Sequence, residues 1–323
     1  MPRIFITRPI PYEGIKMLKK RKGLKIDLYE KDEKIPRAEL LKRVKGIDIL
    51  LSILTDKIDA KVMDAAGPHL KMIANYAVGF DNIDLAAAKK RGIVVTNAPG
   101  NEISETVAEH AVALIFGLAH RIVEADEFLR AGKYKAWGPQ LLLGTDVGLK
   151  TLGIIGTGNI GTALIHRMHD GFGLKIIYHD LKRNREIEKQ YKATYRTKEQ
   201  LLKEADFISL HVPLIPATHH LISTKELKMM KKTAFLINTS RGPVIDEKAL
   251  VVALKKGTIA GAGLDVYEHE PKLTAGLKGL KNTILTPHTA SATIEARQAL
   301  SRTAAANILA FLDGKQPPNR INK

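Results

Sequence analysis

The sequence predicts an α/β protein built from two doubly wound parallel sheets. Short apolar runs of strand length alternate with helix-period segments along nearly the whole chain, the rhythm of β-α-β units. That rhythm occurs twice, interrupted by the turn residues Asn97-Ala98-Pro99-Gly100 and a long alanine-rich stretch. The length agrees, because 323 residues suit two domains of ~100–200 residues each.

In the first sheet, residues 4–6, 24–29, 47–53, 70–74 and 93–96 read as strands. Between them lie helical segments: one led by Pro11-Tyr12-Glu13, then residues 38–44, 60–66 and 85–90. Residues 103–119 are apolar around most of a helical circumference, which predicts a helix buried between domains or subunits. The second sheet opens with a strand at 152–155, a helix at 160–168 and a strand at 175–178. Residues 207–212, 234–238, 262–266 and 284–286 continue it, and a final helix at 293–312 precedes Pro317-Pro318. The expected division is a discontinuous domain, residues 1–99 with 290–323, around a domain of residues 100–289.

Composition removes several classes of function. With 45% hydrophobic and 26% charged residues, the chain is neither disordered nor collagen-like. No apolar run approaches the ~20 residues of a membrane span, and Met1-Pro2-Arg3-Ile4-Phe5 reads as a strand, not a secretion signal. The absence of cysteine excludes disulfides, thiol catalysis and Cys-ligated zinc. A soluble, cytoplasmic protein without a membrane partner is therefore expected. Net charge is +17, from 51 Lys+Arg against 34 Asp+Glu, with Lys16, Lys19, Lys20, Arg21, Lys22 and Lys25 forming the densest run. Aromatics are only 5% and no nucleic-acid motif accompanies the charge. The run reads as a solvated helix end, and the basic surface suits small anions rather than nucleic acid. His166 and His169 stand at i,i+3 spacing without an apparent third ligand, so no metal is expected.

Gly156-Thr157-Gly158-Asn159-Ile160-Gly161 follows a strand and opens a helix. In that context one glycine permits the tight turn, one lets the backbone approach a pyrophosphate, and one allows close helix–sheet packing. The amides of the helix N-terminus face the phosphates. Asp180 follows 19 residues after Gly161, at the end of the next strand. A carboxylate there accepts ribose hydroxyls of NAD and repels the 2′-phosphate of NADP. NAD is therefore favoured, with Leu181 also at the cofactor, while Lys182 and Arg183 just beyond could partly offset this repulsion and leave NADP use open.

Three polar clusters fall at predicted strand ends of this sheet: Thr239-Ser240-Arg241-Gly242, Asp265 with Glu268-His269-Glu270-Pro271, and Thr286-Pro287-His288. Ligands of open parallel sheets bind outside the carboxyl ends of the strands. Arg241 has the fork for a carboxylate, and His288 paired with Glu270 is held in one tautomer with its charged form favoured. Those parts suit hydride reduction of a 2-oxo acid. His211, also at a strand end, reads as lining the cofactor site without reacting.

Here the chain resembles the D-isomer-specific 2-hydroxyacid dehydrogenases, over essentially its whole length. Asn75-Tyr76-Ala77-Val78-Gly79-Phe80-Asp81-Asn82-Ile83-Asp84 is similar to that family's substrate-loop signature. Asn97-Ala98-Pro99 and Glu105-Thr106-Val107-Ala108-Glu109-His110 resemble its interdomain crossing. Leu210-His211-Val212-Pro213-Leu214, Asn238-Thr239-Ser240-Arg241-Gly242, Gly263-Leu264-Asp265-Val266 and Thr286-Pro287-His288 complete the match. The resemblance implies a Rossmann NAD-binding domain inserted in a flavodoxin-like substrate domain, and the two-sheet layout leads us to expect a cleft that closes on the substrate.

It also implies roles. Arg241 would bind the substrate carboxylate, His288 would protonate the carbonyl oxygen, and Glu270 would hold His288. Asp265 would bond the nicotinamide carboxamide, with Thr106, Thr239 and Ser240 also at the cofactor. The backbone amides of Val78 and Gly79 would complete the carboxylate site, and Leu54 would give it an apolar wall. Trp137, the sole tryptophan, stands in Lys135-Ala136-Trp137-Gly138-Pro139. In glyoxylate- and hydroxypyruvate-reducing relatives a similar tryptophan enters the neighbouring subunit's site, which implies a homodimer. The alternative is packing without substrate contact.

Within the family, a lysine precedes the signature glycine of phosphite-oxidising members, where this chain has Val78. The expected activity is reduction of glyoxylate or hydroxypyruvate to glycolate or D-glycerate. A D-3-phosphoglycerate dehydrogenase is the first alternative. A nucleotide-sensing corepressor-like binding protein is the alternative from another class.

Overall fold

The computed structural model describes residues 1–322 and divides the chain into two compact units. One comprises Met1–Ile103 together with the chain from Ala292 onward; the other is Ser104–Ser291. The first unit carries β1 (Arg3–Ile6), β2 (Lys25–Leu28), β3 (Ile49–Ile53), β4 (Met72–Tyr76) and β5 (Val94–Thr96). They form one sheet in the order β2-β1-β3-β4-β5, every neighbour parallel. Phe5, Leu50, Ile73 and Val95 are register partners in one row across it. That row packs on Leu40, Val44, Val62, Met63 and Ala88 of the connecting helices. The runs at β3 and β4 lack polar alternation because both faces of a parallel sheet are covered.

The second unit carries β6 (Thr151–Ile155), β7 (Lys175–His179), β8 (Thr194–Tyr195), β9 (Phe207–Leu210), β10 (Phe235–Asn238), β11 (Gly261–Leu264) and β12 (Thr283–Leu285). Their order is β12-β11-β10-β9-β6-β7-β8, again all parallel. Successive side chains go to opposite faces. Leu152, Ile154, Ile176 and Ile237 join one core, while Ile155, Ile177, Leu236 and Leu264 join the other. The order reverses between β6 and β9, the switch point where ligands of such sheets bind.

The helix Asn101–Ala119 differs from expectation. Its Ala108, Ala111, Leu114, Ile115 and Ala119 lie in the second unit's own core. Small side chains there let the helix lie close on the sheet. The helix that follows, Ile122–Arg130, has no buried residue, and the two-residue β8 was not legible at all. No single helix among the described residues is long and apolar enough to cross a membrane. By length and composition alone, Asn101–Ala119 with Ile122–Arg130, bent by 59°, passes as a pair.

Candidate active site

β6 delivers the chain to Gly156, whose φ of 95° is costly for a side-chain-bearing residue. A Cβ there would lie 2.5 Å from the His211 carbonyl oxygen, and one on Gly161 would lie 2.2 Å from that of Gly156. Gly158, by contrast, caps the helix Asn159–Phe172 with nothing within 4 Å of the same position. Its backbone is open to a ligand. Asn159 and Ile160 begin the helix, whose first amides have no intrahelical partner.

Asp180, just after β7, closes this loop. Its Oδ2 accepts from the Thr157 amide and hydroxyl, both at 2.7 Å, and its Oδ1 accepts from the Leu181 amide at 2.7 Å. Burial pushes the carboxyl up, but these hydrogen bonds outweigh it and hold Asp180 below its ordinary value. It is ionised at neutral pH with lone pairs to spare. Leu181 is 92% exposed and Lys182 is exposed, while Arg183 is committed to Glu188 at 2.9 Å. His211 follows β9, with its Nε2 2.9 Å from the Ser209 hydroxyl. Desolvation pushes its imidazole down to about 4, so it is neutral under ordinary conditions.

At the end of β10, the buried Asn238 side chain organises the next loop. Its Oδ1 accepts from the Ser240 amide and hydroxyl, and its Nδ2 donates to the Arg241 carbonyl at 2.9 Å. The Arg241 guanidinium donates to the Ser240 carbonyl at 2.7 Å, fixing the fork. The Thr239 hydroxyl is buried without a hydrogen-bond partner among the described residues. A buried orphan of this kind points to a missing ligand. With the open face at Gly158 and the ionised Asp180, the residues fit a nicotinamide dinucleotide.

The His288–Glu270 pair forms across two loops. His288 Nδ1 lies 3.0 Å from Glu270 Oε2, and Glu270 Oε1 accepts from the Tyr267 amide at 3.0 Å. Burial pushes the Glu270 carboxyl up, but the His288 hydrogen bond and charge, the Tyr267 amide and the Arg241 charge hold it below its ordinary value. His288 itself has a φ of 56°, a left-handed conformation uncommon for any side chain but glycine. Its amide donates to the Asp265 carbonyl at 2.9 Å, and the Tyr267 hydroxyl donates to the Thr286 carbonyl at 2.9 Å.

Asp265 has contacts beyond the role that the resemblance implied for it. Fully buried, it accepts from the Thr286 hydroxyl (2.6 Å) and Thr289 amide (2.7 Å) on Oδ1, and from the Ala290 amide (2.7 Å) on Oδ2. The carboxylate is first an anchor for the turn that carries His288. His110, not singled out in the sequence, places its Nε2 3.0 Å from the Thr286 hydroxyl. Thr106 lies one turn earlier on the same helix, half-buried.

In the first unit, Val78 and Gly79 follow β4 and are half-buried, as is Leu54 after β3. Their loops rest on a polar network the sequence did not reveal. Asn75 Nδ2 donates to the Gly79 carbonyl at 2.9 Å, Asn97 Nδ2 to the Val78 carbonyl at 2.7 Å, and Asn82 Nδ2 to the Ile53 carbonyl at 3.1 Å. Beneath Leu54, the buried Asp56 accepts from the Thr7 hydroxyl at 2.5 Å and the Ile53 amide at 3.1 Å. Its burial pushes the carboxyl up, against those two bonds. Trp137 is 80% exposed, outside every cluster described above.

A parallel sheet with a glycine-lined helix N-terminus, an acidic strand end and an Arg, Glu and His at neighbouring strand ends defines a dinucleotide-dependent dehydrogenase. Residues 112–290 match the model of the D-isomer specific 2-hydroxyacid dehydrogenase NAD binding domain. The chain belongs to that family and is an oxidoreductase with an NAD-binding domain. It is 51% identical to a glyoxylate reductase of Thermococcus litoralis, across 100% of this chain and 97% of that protein. Among solved structures it is similar to a protein of Thermus thermophilus (TM-score 0.92, 42% identity, 99% of each chain). It is also similar to an NADPH-dependent glyoxylate/hydroxypyruvate reductase of Sinorhizobium meliloti (TM-score 0.84, 29% identity, 99% of this chain and 98% of that one).

Proposed function

We propose that the protein reduces glyoxylate and hydroxypyruvate to glycolate and D-glycerate, consuming one reduced nicotinamide cofactor and one proton per turnover. The observation that carries this function is the His288–Glu270 pair beside Arg241, supported by the glyoxylate reductase name of a half-identical relative. When bound, the cofactor supplies hydride to the carbonyl carbon. His288 Nδ1 is occupied by Glu270, so Nε2 is the nitrogen that gives its proton to the carbonyl oxygen. Glu270 fixes the ring and its tautomer. Arg241, oriented by the Ser240 carbonyl, takes the substrate carboxylate. Asp265 and His110 act on the turn that presents His288.

NAD is the preferred cofactor in this assignment. Asp180 is ionised and Arg183 is already paired with Glu188, which leaves the exposed Lys182 to offset repulsion of a 2′-phosphate. The Sinorhizobium protein is named NADPH-dependent, so the preference has to be measured. We further assign a cytoplasmic homodimer. Ile122, Leu129, Tyr134, Trp137, Leu143 and Leu149 are all exposed within one short segment, the density expected of a self-association surface.

Oxidation of NADH and NADPH, in parallel, with glyoxylate, hydroxypyruvate, pyruvate and phosphohydroxypyruvate tests this function. Turnover of the first two, preferring NADH, is the expected result. Turnover of phosphohydroxypyruvate alone would keep the chemistry and replace the substrate. Tight NADH binding without any turnover would overturn the catalytic assignment.

A further inference from the structure

Glu270 reaches His288 from a loop, residues 265–274, that has a second set of contacts on its far side. Glu268, two residues before Glu270, takes part in a reciprocal pair with the fully buried Glu247. The Glu247 amide donates to Glu268 Oε2 at 3.2 Å, and the Glu268 amide donates to Glu247 Oε1 at 2.7 Å. The Thr274 hydroxyl donates to Glu247 Oε2 at 2.6 Å, which closes the loop from its other end. The other Glu268 oxygen faces His220, whose Nε2 lies 2.9 Å from Glu268 Oε1.

His220 is itself firmly placed. Its φ is 51°, its amide donates to the Pro243 carbonyl at 2.8 Å, and the His219 ring stacks on it with centroids 4.1 Å apart. The Arg241 loop meets the same point. A Cβ on Gly242 would fall 1.9 Å from the Tyr267 carbonyl carbon and 2.4 Å from the Glu268 nitrogen. Only glycine lets the two backbones lie this close. Movement at Glu268 therefore passes to Glu270, through the Tyr267 amide that holds Glu270 Oε1, and to Arg241.

We infer that His220, acting through Glu268, is a positioning residue that sets the geometry of the Glu270–His288 pair. This rests on the proposed role of that pair in proton transfer. The groups facing His220 are His219 and Glu268, with Glu247 beyond; those facing Glu270 are His288, Arg241 and the Tyr267 amide. His220 does not face His288 in any of these contacts. Its influence is mechanical, exerted on the loop.

The test is steady-state reduction of hydroxypyruvate across pH, with thermal melts, for His220→Ala, His220→Gln, Glu268→Gln and His288→Ala beside the wild type. His220→Ala is expected to lower kcat about 10- to 100-fold, the scale of a slightly misplaced catalytic group. The KM for NADH should stay within about twofold. The acidic limb of kcat/KM should move to higher pH, because Glu270 displaced from His288 loses the hydrogen bond and charge that hold its carboxyl below its ordinary value. Glutamine places an amide N–H near the position of Nε2, so His220→Gln should recover most of kcat. Should His220→Ala fail to fold, Glu268→Gln serves, with a smaller shift of the limb in the same direction.

An unmoved acidic limb, or a melting temperature that falls with no rescue by glutamine, would make the brace merely structural and overturn the inference. Wild-type activity in His288→Ala would instead remove the pair itself. That result is read from a separate variant, so the two failures are distinguishable.

Discussion

Two regions of the second unit treat their side chains in opposite ways. Around residues 238–290, polar groups are tied to one another. Asn238 holds the Arg241 loop, Asp265 holds the His288 turn, and Glu247 with Glu268 holds the Glu270 loop. Along residues 122–149, the helix Ile122–Arg130 buries nothing, and large apolar groups such as Trp137 and Leu149 face outward. The first region, the Thr239 hydroxyl apart, is organised in advance by contacts within one chain, which is what positioned acid–base chemistry needs. The second leaves its large apolar side chains uncovered. One stretch of the second unit thus commits its side chains to one another and the other leaves them facing outward, and the difference shows in what each leaves uncovered.

The largest effect expected from this comparison is on the preorganised side. His288→Ala should lower kcat/KM for hydroxypyruvate by roughly 10²–10⁴, with NADH affinity by fluorescence titration nearly unchanged. A loss under tenfold would mean that the ordered loops serve stability alone. On the exposed side, Trp137→Ser with Leu143→Ser should weaken self-association by about 30-fold, since truncating an aromatic hot spot costs ~2 kcal/mol or more. Sedimentation over a range of concentrations reads this directly. Wild-type oligomerisation in that double variant would show that the segment's exposure has another purpose.

The smallest effect concerns His211. Its folded imidazole is held down to about 4 by desolvation, whereas an unfolded histidine titrates near ~6.5. Between those values the unfolded chain binds a proton that the folded one refuses, so stability falls as pH drops from about 6.5 to about 4 and is flat above. His211→Gln should remove part of that slope in melting temperature against pH. An identical slope in the variant would show that the ring is not protected from protonation.

Much of the site was legible in the order of residues along the chain. The glycine loop could be read because a tight turn and a close helix approach demand glycine at set positions, here Gly156 and Gly161. Arg241, Glu270 and His288 could be read because each follows shortly after an apolar strand, the place where an open parallel sheet presents its ligand-facing groups. The supporting contacts could not be read. His110 meets Thr286 across 176 residues, and His220 meets Glu268 across 48. No local pattern in the chain announces either partner. Asp265 shows the same limit from the other side: its position was clear, but the turn its carboxylate anchors was not.

The sequence by itself determined the alternation of strands and helices, the dinucleotide loop and the residue types available for proton transfer. Those follow from period, turn chemistry and backbone sterics, which act over a few neighbouring residues. The tertiary structure alone decided which carboxylate faces which histidine, that the Thr239 hydroxyl has no partner among the described residues, and which apolar side chains stay outside both cores. Those depend on hydrogen-bond geometry and packing between segments far apart in the chain, and only the folded backbone sets such distances.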